Sequence, residues 1–364
     1  MANPFLTPAS KPATEAGLFD NAERGLANRN SGTLLETLAL DITPAGAHYL
    51  LTHFDTPILE DRTHRLTFKG AFENPFEMSM DDIRACPQET LPVTLECAGN
   101  GRAGLSPRRY SMPWLYEAAG TSEWTGTRLA PLISRAKPES DVVEVSFTGV
   151  DYGFDSGVGH HFGRSLTLEQ LDQLDVLLVH QMNGQPLLPQ HGAPLRIIVP
   201  GWYGMASVKW LGTIEALREP FEGYQQVKTY RYRETEEDPG RPVTEIRVKS
   251  LMIPPGVPDW ISRDRFANPG PVTVKGRAWS GGGRAITKVE FGVDGTWHEA
   301  ELTGRAGQYA WTGWQAEWNA EPGEHILQCR ATDDGGSVQP LEPPWDFSGF
   351  GNNAVHTVRV YVDG

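Results

Sequence analysis

Cysteine is scarce: Cys86, Cys97 and Cys329 are the three in 364 residues, and no C-x-x-C pair occurs. That excludes a disulfide framework, and it disfavours zinc ribbons, thioredoxin-type redox motifs and covalent c-type haem attachment. Each cysteine therefore has to be judged singly. Long apolar runs are also missing. No stretch reaches the roughly 18 apolar residues that cross a bilayer, and the N-terminal segment, rich in Pro, Ala and Asn, has neither an apolar signal core nor twin arginines. Taken as written, the sequence reads as cytoplasmic, or as periplasmic if an export signal has been removed. Positive charge is short as well. With 32 Lys+Arg against 46 Asp+Glu the formal net charge is −14, which argues against nucleic acid as the main partner, because a phosphate backbone needs a concentrated basic surface. Neither a Walker loop nor a G-x-G-x-x-G fingerprint is present, so an ordinary nucleotide site is disfavoured.

What is there is globular. Hydrophobic residues at 39% and charged residues at 21% permit real cores, and the length suits two domains. Residues 1–30 read as an arm that orders only by docking. From about Leu34 to Arg233 short apolar runs alternate with helix-like and Gly/Pro-rich pieces. The runs 93–95, 142–147, 176–179 and 197–199 read as strands, and 166–174 as a short helix capped by Thr167. That mixture indicates an α+β domain over 31–245. Beyond the punctuating Pro254-Pro255-Gly256-Val257-Pro258, which reads as a linker, the pattern has period two: Val272, Val274; Val289, Phe291, Val293; Leu327, Cys329, Ala331; Val358, Val360, Val362. With turn residues at Gly281-Gly282-Gly283 and Asp294-Gly295, residues 246–364 are expected to form an all-β, immunoglobulin-like sandwich.

Two segments carry candidate chemistry. In Leu95-Glu96-Cys97-Ala98-Gly99-Asn100-Gly101-Arg102 a β-type run feeds into small residues and a cation. Glycines let backbone approach a bulky ligand, and Arg102 either favours the thiolate of Cys97 or binds an anion beside it. A thiolate suits a metal that keeps open positions. On residue type alone, a buried structural cysteine and a surface arginine remain the commoner outcome. The second segment runs from Met182 through Pro186, Pro189, His191, Gly192, Pro194 and Arg196 into the apolar Ile197-Ile198-Val199. It leaves through Pro200-Gly201 to Ser207, Lys209 and Trp210. His191, Arg196, Ser207 and Lys209 form a donor set suited to a phosphate and a polar heterocycle, although each cation taken singly is more often simply solvated.

Both segments resemble the sulfite oxidase family. The first matches its C-A-G-N-x-R pattern. The second matches M-N-G-x-P-L-P…H-G-x-P-x-R…V-P-G-x-x-G…V-K-W-L, and Val274-Lys275-Gly276-Arg277-Ala278-Trp279-Ser280-Gly281-Gly282-Gly283-Arg284 looks like the start of the family's C-terminal dimerisation domain. The resemblance runs from about residue 35 to the end. It implies an α+β catalytic domain of sulfite oxidase type holding one molybdenum-molybdopterin, then a dimer-forming immunoglobulin-like sandwich. It implies Cys97 as the molybdenum ligand. His53, Asp151, His191, Arg196, Ser207 and Lys209 are implied as pterin and phosphate contacts, and Arg102, Trp114 and Tyr230 as lining the substrate pocket, with Tyr232 the rival of Tyr230.

Two departures bear on the substrate. Animal and plant sulfite oxidases have arginines where this chain has Leu51 and Ser348. The pair His160-His161 offers replacement charge where imidazole titrates, near pH ~6.5, with His161 the catalytic candidate and a solvent-exposed loop the bland alternative. The implied reaction is oxygen-atom transfer to sulfite. No cytochrome b5-like H-P-G-G core is present, so electrons are expected to go to an external acceptor such as a cytochrome. Alternatives on the same scaffold are a nitrate reductase or an oxidant of organic or sulfane sulfur. From another class, a non-enzymatic sandwich protein with a degenerate first domain is the competing reading.

Overall fold

A computed structural model describes residues 21–364. Two thirds of the arm expected at 1–30 thus lies outside the described residues. The remainder forms the helix Asn21–Arg29, tethered where the wholly buried Glu23 accepts from Arg108 Nη2 at 2.9 Å.

Two sheets frame the first part of the chain. One has the order Phe76–Ser79, Arg65–Gly70, Leu211–Leu217, Glu144–Asp155, Val158–Thr167. Its pair Arg65–Gly70 and Leu211–Leu217 is parallel, so the intervening chain, which holds both motif segments, must cross over between them. The other runs Glu89–Glu96, Ala119–Arg128, Leu177–Met182, Gln185–Pro186, with Arg196–Ile198 also paired to Leu177–Met182. Leu177, Leu178, Val179, Ile197 and Ile198 are fully buried, which is why those strands read as continuous apolar runs. The helix expected at 166–174 spans Leu168–Gln173. Thr167 Oγ1 accepts from Gln170 N at 3.1 Å, and the Gln170 side chain accepts from Thr167 N at 2.9 Å, a capping box. The other helices here, Met80–Ala85 and Ala130–Ala136, are as short. The α+β expectation thus overstates helix: this part is mostly β, because its Gly/Pro-rich connections leave few runs long enough to wind.

The C-terminal part is two sheets around one core. Lys249–Met252, Gly270–Trp279, Thr312–Ala320 and Glu301–Arg305 make four strands. Val257–Pro258, Arg265–Ala267, His356–Val362, Gly323–Asp333, Ile286–Val293 and Thr296–Glu299 make six. Val274, Trp314 and Trp318 pack from one sheet against Val289, Phe291, Leu327, Cys329, Val358 and Val360 from the other. Ser156-Gly157, Asn183-Gly184 and Asp294-Gly295 turn hairpins with both residues at positive φ, the twist that adjacent strands accept.

The linker expected at Pro254–Pro258 is corrected. Lys249–Met252 already pairs with Gly270–Trp279, so the prolines join strands within the C-terminal part. Pro258 sits on the edge strand of the larger sheet, where the missing N–H costs no ladder bond. Nor are the two parts separated by a solvated gap. Trp279 and Trp311 belong to the same apolar cluster as Trp202 and Tyr203, and Arg277 donates to Leu38 O and Asp41 Oδ1, both at 2.7 Å.

Candidate active site

Strand Glu89–Glu96 delivers Cys97 to the edge of a cavity. The chain then coils back on itself, with Asn100 N donating to Cys97 O at 2.9 Å and Arg102 N to Gly99 O at 3.0 Å. Gly101 has φ 94°, and a Cβ there would meet Asn352 Nδ2 at 2.9 Å, so the position requires glycine. The cavity holds about 680 Å³ of non-atom space including its open mouth. Cys97, His53, Asp151, His191, Arg196, Ser207, Lys209 and Tyr230 all line it. Eight sequence-predicted residues from five stretches of chain are thereby brought together.

The segment 182–210 supplies most of the far wall. Gly192, at φ 103°, lets backbone pass Lys209, whose Cβ would lie 3.0 Å from an added Cβ. Arg196 Nη1 donates to His191 O at 2.9 Å and Nη2 to Ser207 O at 3.1 Å. Lys209 Nζ donates to Leu51 O at 2.9 Å and Gln190 O at 3.0 Å. Ser207 Oγ accepts from Val199 N at 3.1 Å. These cations are held by neutral carbonyls rather than by carboxylates. Burial pushes Arg196 down to about 10 and Lys209 well below its usual range. His191 falls to about 3, again chiefly by burial, with His48 and Arg196 adding repulsion. Burial also pushes the Asp151 carboxyl up to about 6, with Lys209 pulling the other way. Asp151 Oδ1 and Arg196 Nε have no hydrogen-bond partner among the described residues.

Uncompensated cations and an unpartnered carboxylate oxygen together fit a ligand that is anionic at one end and carries N–H donors at the other. A pterin phosphate has both, so the residues present fit the cofactor that the motifs imply. Cys97 fits the metal end. Burial raises its thiol pKa, while the Gly99 backbone, Arg102 and the Trp114 indole favour the thiolate. Trp114 Nε1 makes no hydrogen bond of ordinary geometry, yet it lies close enough to act on the sulfur. A thiol in this setting gives up its proton when a cation arrives. Among the described residues no three His, Cys, Asp or Glu side chains converge as a cation cage.

Next to Cys97 a second group of residues gathers. Tyr230 Oη lies 2.7 Å from His53 Nε2, and its ring stacks on Phe350 at 5.1 Å. Arg102 sits 4.8 Å over Phe350 and Arg164 5.7 Å over Tyr230. Tyr232 does not line the cavity; it packs towards Tyr203 and Arg247 instead, so of these two rivals Tyr230 is the one at the cavity. Leu51 forms part of the cavity wall. Ser348 is half-buried in the turn that carries Phe350, whose N donates to Asp346 Oδ1 at 2.9 Å.

Arg164 was not singled out in the sequence. It is 3% exposed, donates Nη1 to Gln225 O at 2.8 Å, and is pushed down to about 10 by burial. Its signal is faint: an arginine in phase with the apolar Phe162 and Leu166 along one strand. His48 and Tyr49 of the cavity wall were also missed, since neither belongs to a motif. His161 departs from expectation. It is exposed, opposite Tyr152 on a hairpin that projects past a register shift between Thr148 and Tyr152, with Nδ1 3.1 Å from Asp151 O. It does not line the cavity. His160 is the inward one, packed on Phe54 and stacked on Tyr224 at 4.6 Å.

Comparison with known proteins accords with this arrangement. The oxidoreductase molybdopterin binding domain matches residues 53–225, and the Mo-co oxidoreductase dimerisation domain matches 241–363. The chain is 34% identical to mitochondrial sulfite oxidase of Homo sapiens over 88% of its own length. That stretch is 62% of the human protein, so the chain spans less than two thirds of this relative. It is 30% identical to sulfite oxidase of Arabidopsis thaliana, covering 87% of both. The sulfane dehydrogenase SoxCD from Paracoccus pantotrophus superposes with a TM-score of 0.76 at 25% identity, over 98% of this chain and 94% of that one.

Proposed function

Because the chain belongs to the sulfite oxidase family of molybdopterin oxidoreductases, we propose that it oxidises a small sulfur oxyanion, sulfite first, and passes two electrons to a separate acceptor such as a cytochrome. The observation that carries this reading is the pair of buried guanidiniums, Arg102 and Arg164, at the two ends of the Phe350–Tyr230 stack. Among the described residues neither makes an ion pair with a carboxylate. Buried charge left unpaired is costly, and a small oxyanion beside Cys97 would neutralise it.

Sulfite and water give sulfate, two protons and two electrons; a molybdenum cofactor, when bound, would supply this two-electron chemistry. The chain does the rest. Cys97 would anchor the metal, and Lys209, Arg196, His191 and Ser207 would hold the phosphate and pterin, with Asp151 and His53 offered to the heterocycle. Arg102 and Arg164 draw the anion in, the Tyr230 hydroxyl orients it, and Trp114 and Phe350 exclude water. A second reading, oxidation of a larger sulfane or organic sulfur, is favoured by Leu51 in the cavity wall, where an apolar side chain replaces an expected cation. Nitrate reduction is the remaining alternative.

Metal and pterin analysis of the purified protein, followed by steady-state assay with sulfite, thiosulfate and nitrate and an artificial electron carrier, tests the proposal. Molybdenum near one per chain and fastest turnover of sulfite are expected. Loaded protein that ignores sulfite but oxidises thiosulfate would transfer the assignment to the second reading; protein purified without molybdenum or pterin would remove both.

The catalytic part is taken as 31–245 and the dimer-forming part as 246–364, with its two sheets read as immunoglobulin-like. Val257, Trp260 and Ile261, 67%, 87% and 61% exposed, are large apolar side chains close together in sequence on that part, which suits a twofold interface. Light scattering should give about twice the 40.1 kDa chain mass, and Trp260→Glu should halve it; a dimer indifferent to this change would place the interface elsewhere.

A further inference from the structure

Behind the cysteine loop lies a buried ion pair whose two members come from the two parts of the chain. Glu96, the residue before Cys97, is 1% exposed, and Lys249, on strand Lys249–Met252, is 2% exposed. Lys249 Nζ donates to Glu96 Oε1 at 2.8 Å and to Asn352 O at 2.9 Å. Glu96 Oε1 also accepts from Asn100 Nδ2 at 3.0 Å, and Oε2 accepts from Trp279 Nε1 at 2.9 Å. Around this centre the C-terminal part grips the loop backbone itself. Asn352 Nδ2 donates to Gly101 O at 2.8 Å, and Gly351 N donates to Ala98 O at 2.8 Å.

Net stability is a poor reason for such a pair. A buried ion pair roughly breaks even against apolar packing, whereas its geometry is strongly directional. All but one of these hydrogen bonds involve the loop 97–102 or the residue that launches it, the exception being Lys249 Nζ to Asn352 O, which fixes the residue that holds Gly101; that loop carries both the thiol and Arg102. We infer that Lys249 is a positioning residue: through Glu96 and Asn352 the C-terminal part sets where Cys97 and Arg102 stand, so that part helps to shape the catalytic centre as well as any dimer. This rests on Cys97 being the metal ligand.

The test compares Glu96→Gln, Lys249→Gln, the double variant Glu96→Gln/Lys249→Gln and the milder Trp279→Phe in the loaded enzyme. Five quantities are read: kcat, KM, molybdenum content, melting temperature and the sulfur-to-metal charge-transfer absorption. That absorption follows the geometry of the Cys97 sulfur and does not depend on turnover. Each single substitution should shift the band and lower kcat about tenfold, equal to about 1.4 kcal/mol in barrier, with KM changed less. The double variant, in which two amides can restore a neutral hydrogen bond, should recover the band and most of kcat. Trp279→Phe, which keeps the ion pair, should shift the band less than either. Recovery of lost metal content in the double variant would support the inference equally. Single variants that melt earlier yet keep the wild-type band and kcat would overturn it, as would a double variant no better than the worse single one. A wild-type band that survives Cys97→Ser would instead defeat the ligand assignment, so the two failures are distinguishable.

Discussion

Replacing Cys97 by serine should lower kcat at least about a thousandfold, near 4 kcal/mol of barrier, in a protein that still folds. The loop does not depend on the sulfur. Cys97 N donates to Ala118 O, and its carbonyl accepts from Asn100 N, both at 2.9 Å, so the turn survives when one side-chain atom changes. A buried hydroxyl without a partner costs on the order of 1–2 kcal/mol, which lowers the melting temperature without unfolding the chain. A hydroxyl is also a hard, weakly acidic ligand where a soft thiolate is called for. The check is kcat normalised to molybdenum content. A fully loaded serine variant turning over at the wild-type rate would remove Cys97 from the metal.

Charge at the substrate pocket has the next largest effect. Arg102→Met and Arg164→Met should each depress kcat/KM for sulfite by one to two powers of ten, about 1.4 to 2.8 kcal/mol. Arg164→Met should act mainly through KM, because Arg164 stands over Tyr230 rather than on the cysteine loop. Arg102→Met should also touch kcat, since Arg102 favours the Cys97 thiolate. Both charges act on a diffusing anion, so wild-type KM should rise with ionic strength, and the double variant should lose that dependence. If both single variants keep wild-type kcat/KM over a range of salt, the anion does not bind between these cations. Leu51 and Ser348 alone would have left Arg102 as the main permanent charge and implied weak attraction; Arg164 restores a second.

Legibility from sequence followed how local each feature is. Cys97, Arg102 and the set from His191 to Lys209 lie in contiguous loops whose residue order is itself the motif, so they could be read and then found around one cavity. Arg164, Lys249 and Phe350 come to the site only through tertiary packing, and nothing in their neighbours announces it. His160 and His161 show the limit most sharply. Adjacent strand residues face opposite ways, and His160 shares the face of Phe162, Arg164 and Leu166, an alternation that picks the inward histidine only once the strand itself has been placed. Prolines mark a break in regular structure without saying whether two domains or two strands flank it, hence the misplaced linker at 254–258. The period-two runs after residue 270 were the easiest, because a face-to-face pair of sheets buries every other side chain.

Indoles from the C-terminal part cross into the core of the catalytic part. Trp279, at the end of strand Gly270–Trp279, and Trp311, just before strand Thr312–Ala320, lie in the core of the catalytic part although those strands belong to the C-terminal sheets, and Arg277 reaches back to Leu38 and Asp41. Opening the seam would expose two indoles and strand a buried carboxylate at Glu96. Heat or denaturant therefore meets a single cooperative object, and a substitution deep in the C-terminal sheets reaches the catalytic centre as a loss of folded molecules before it reaches it as a change in chemistry.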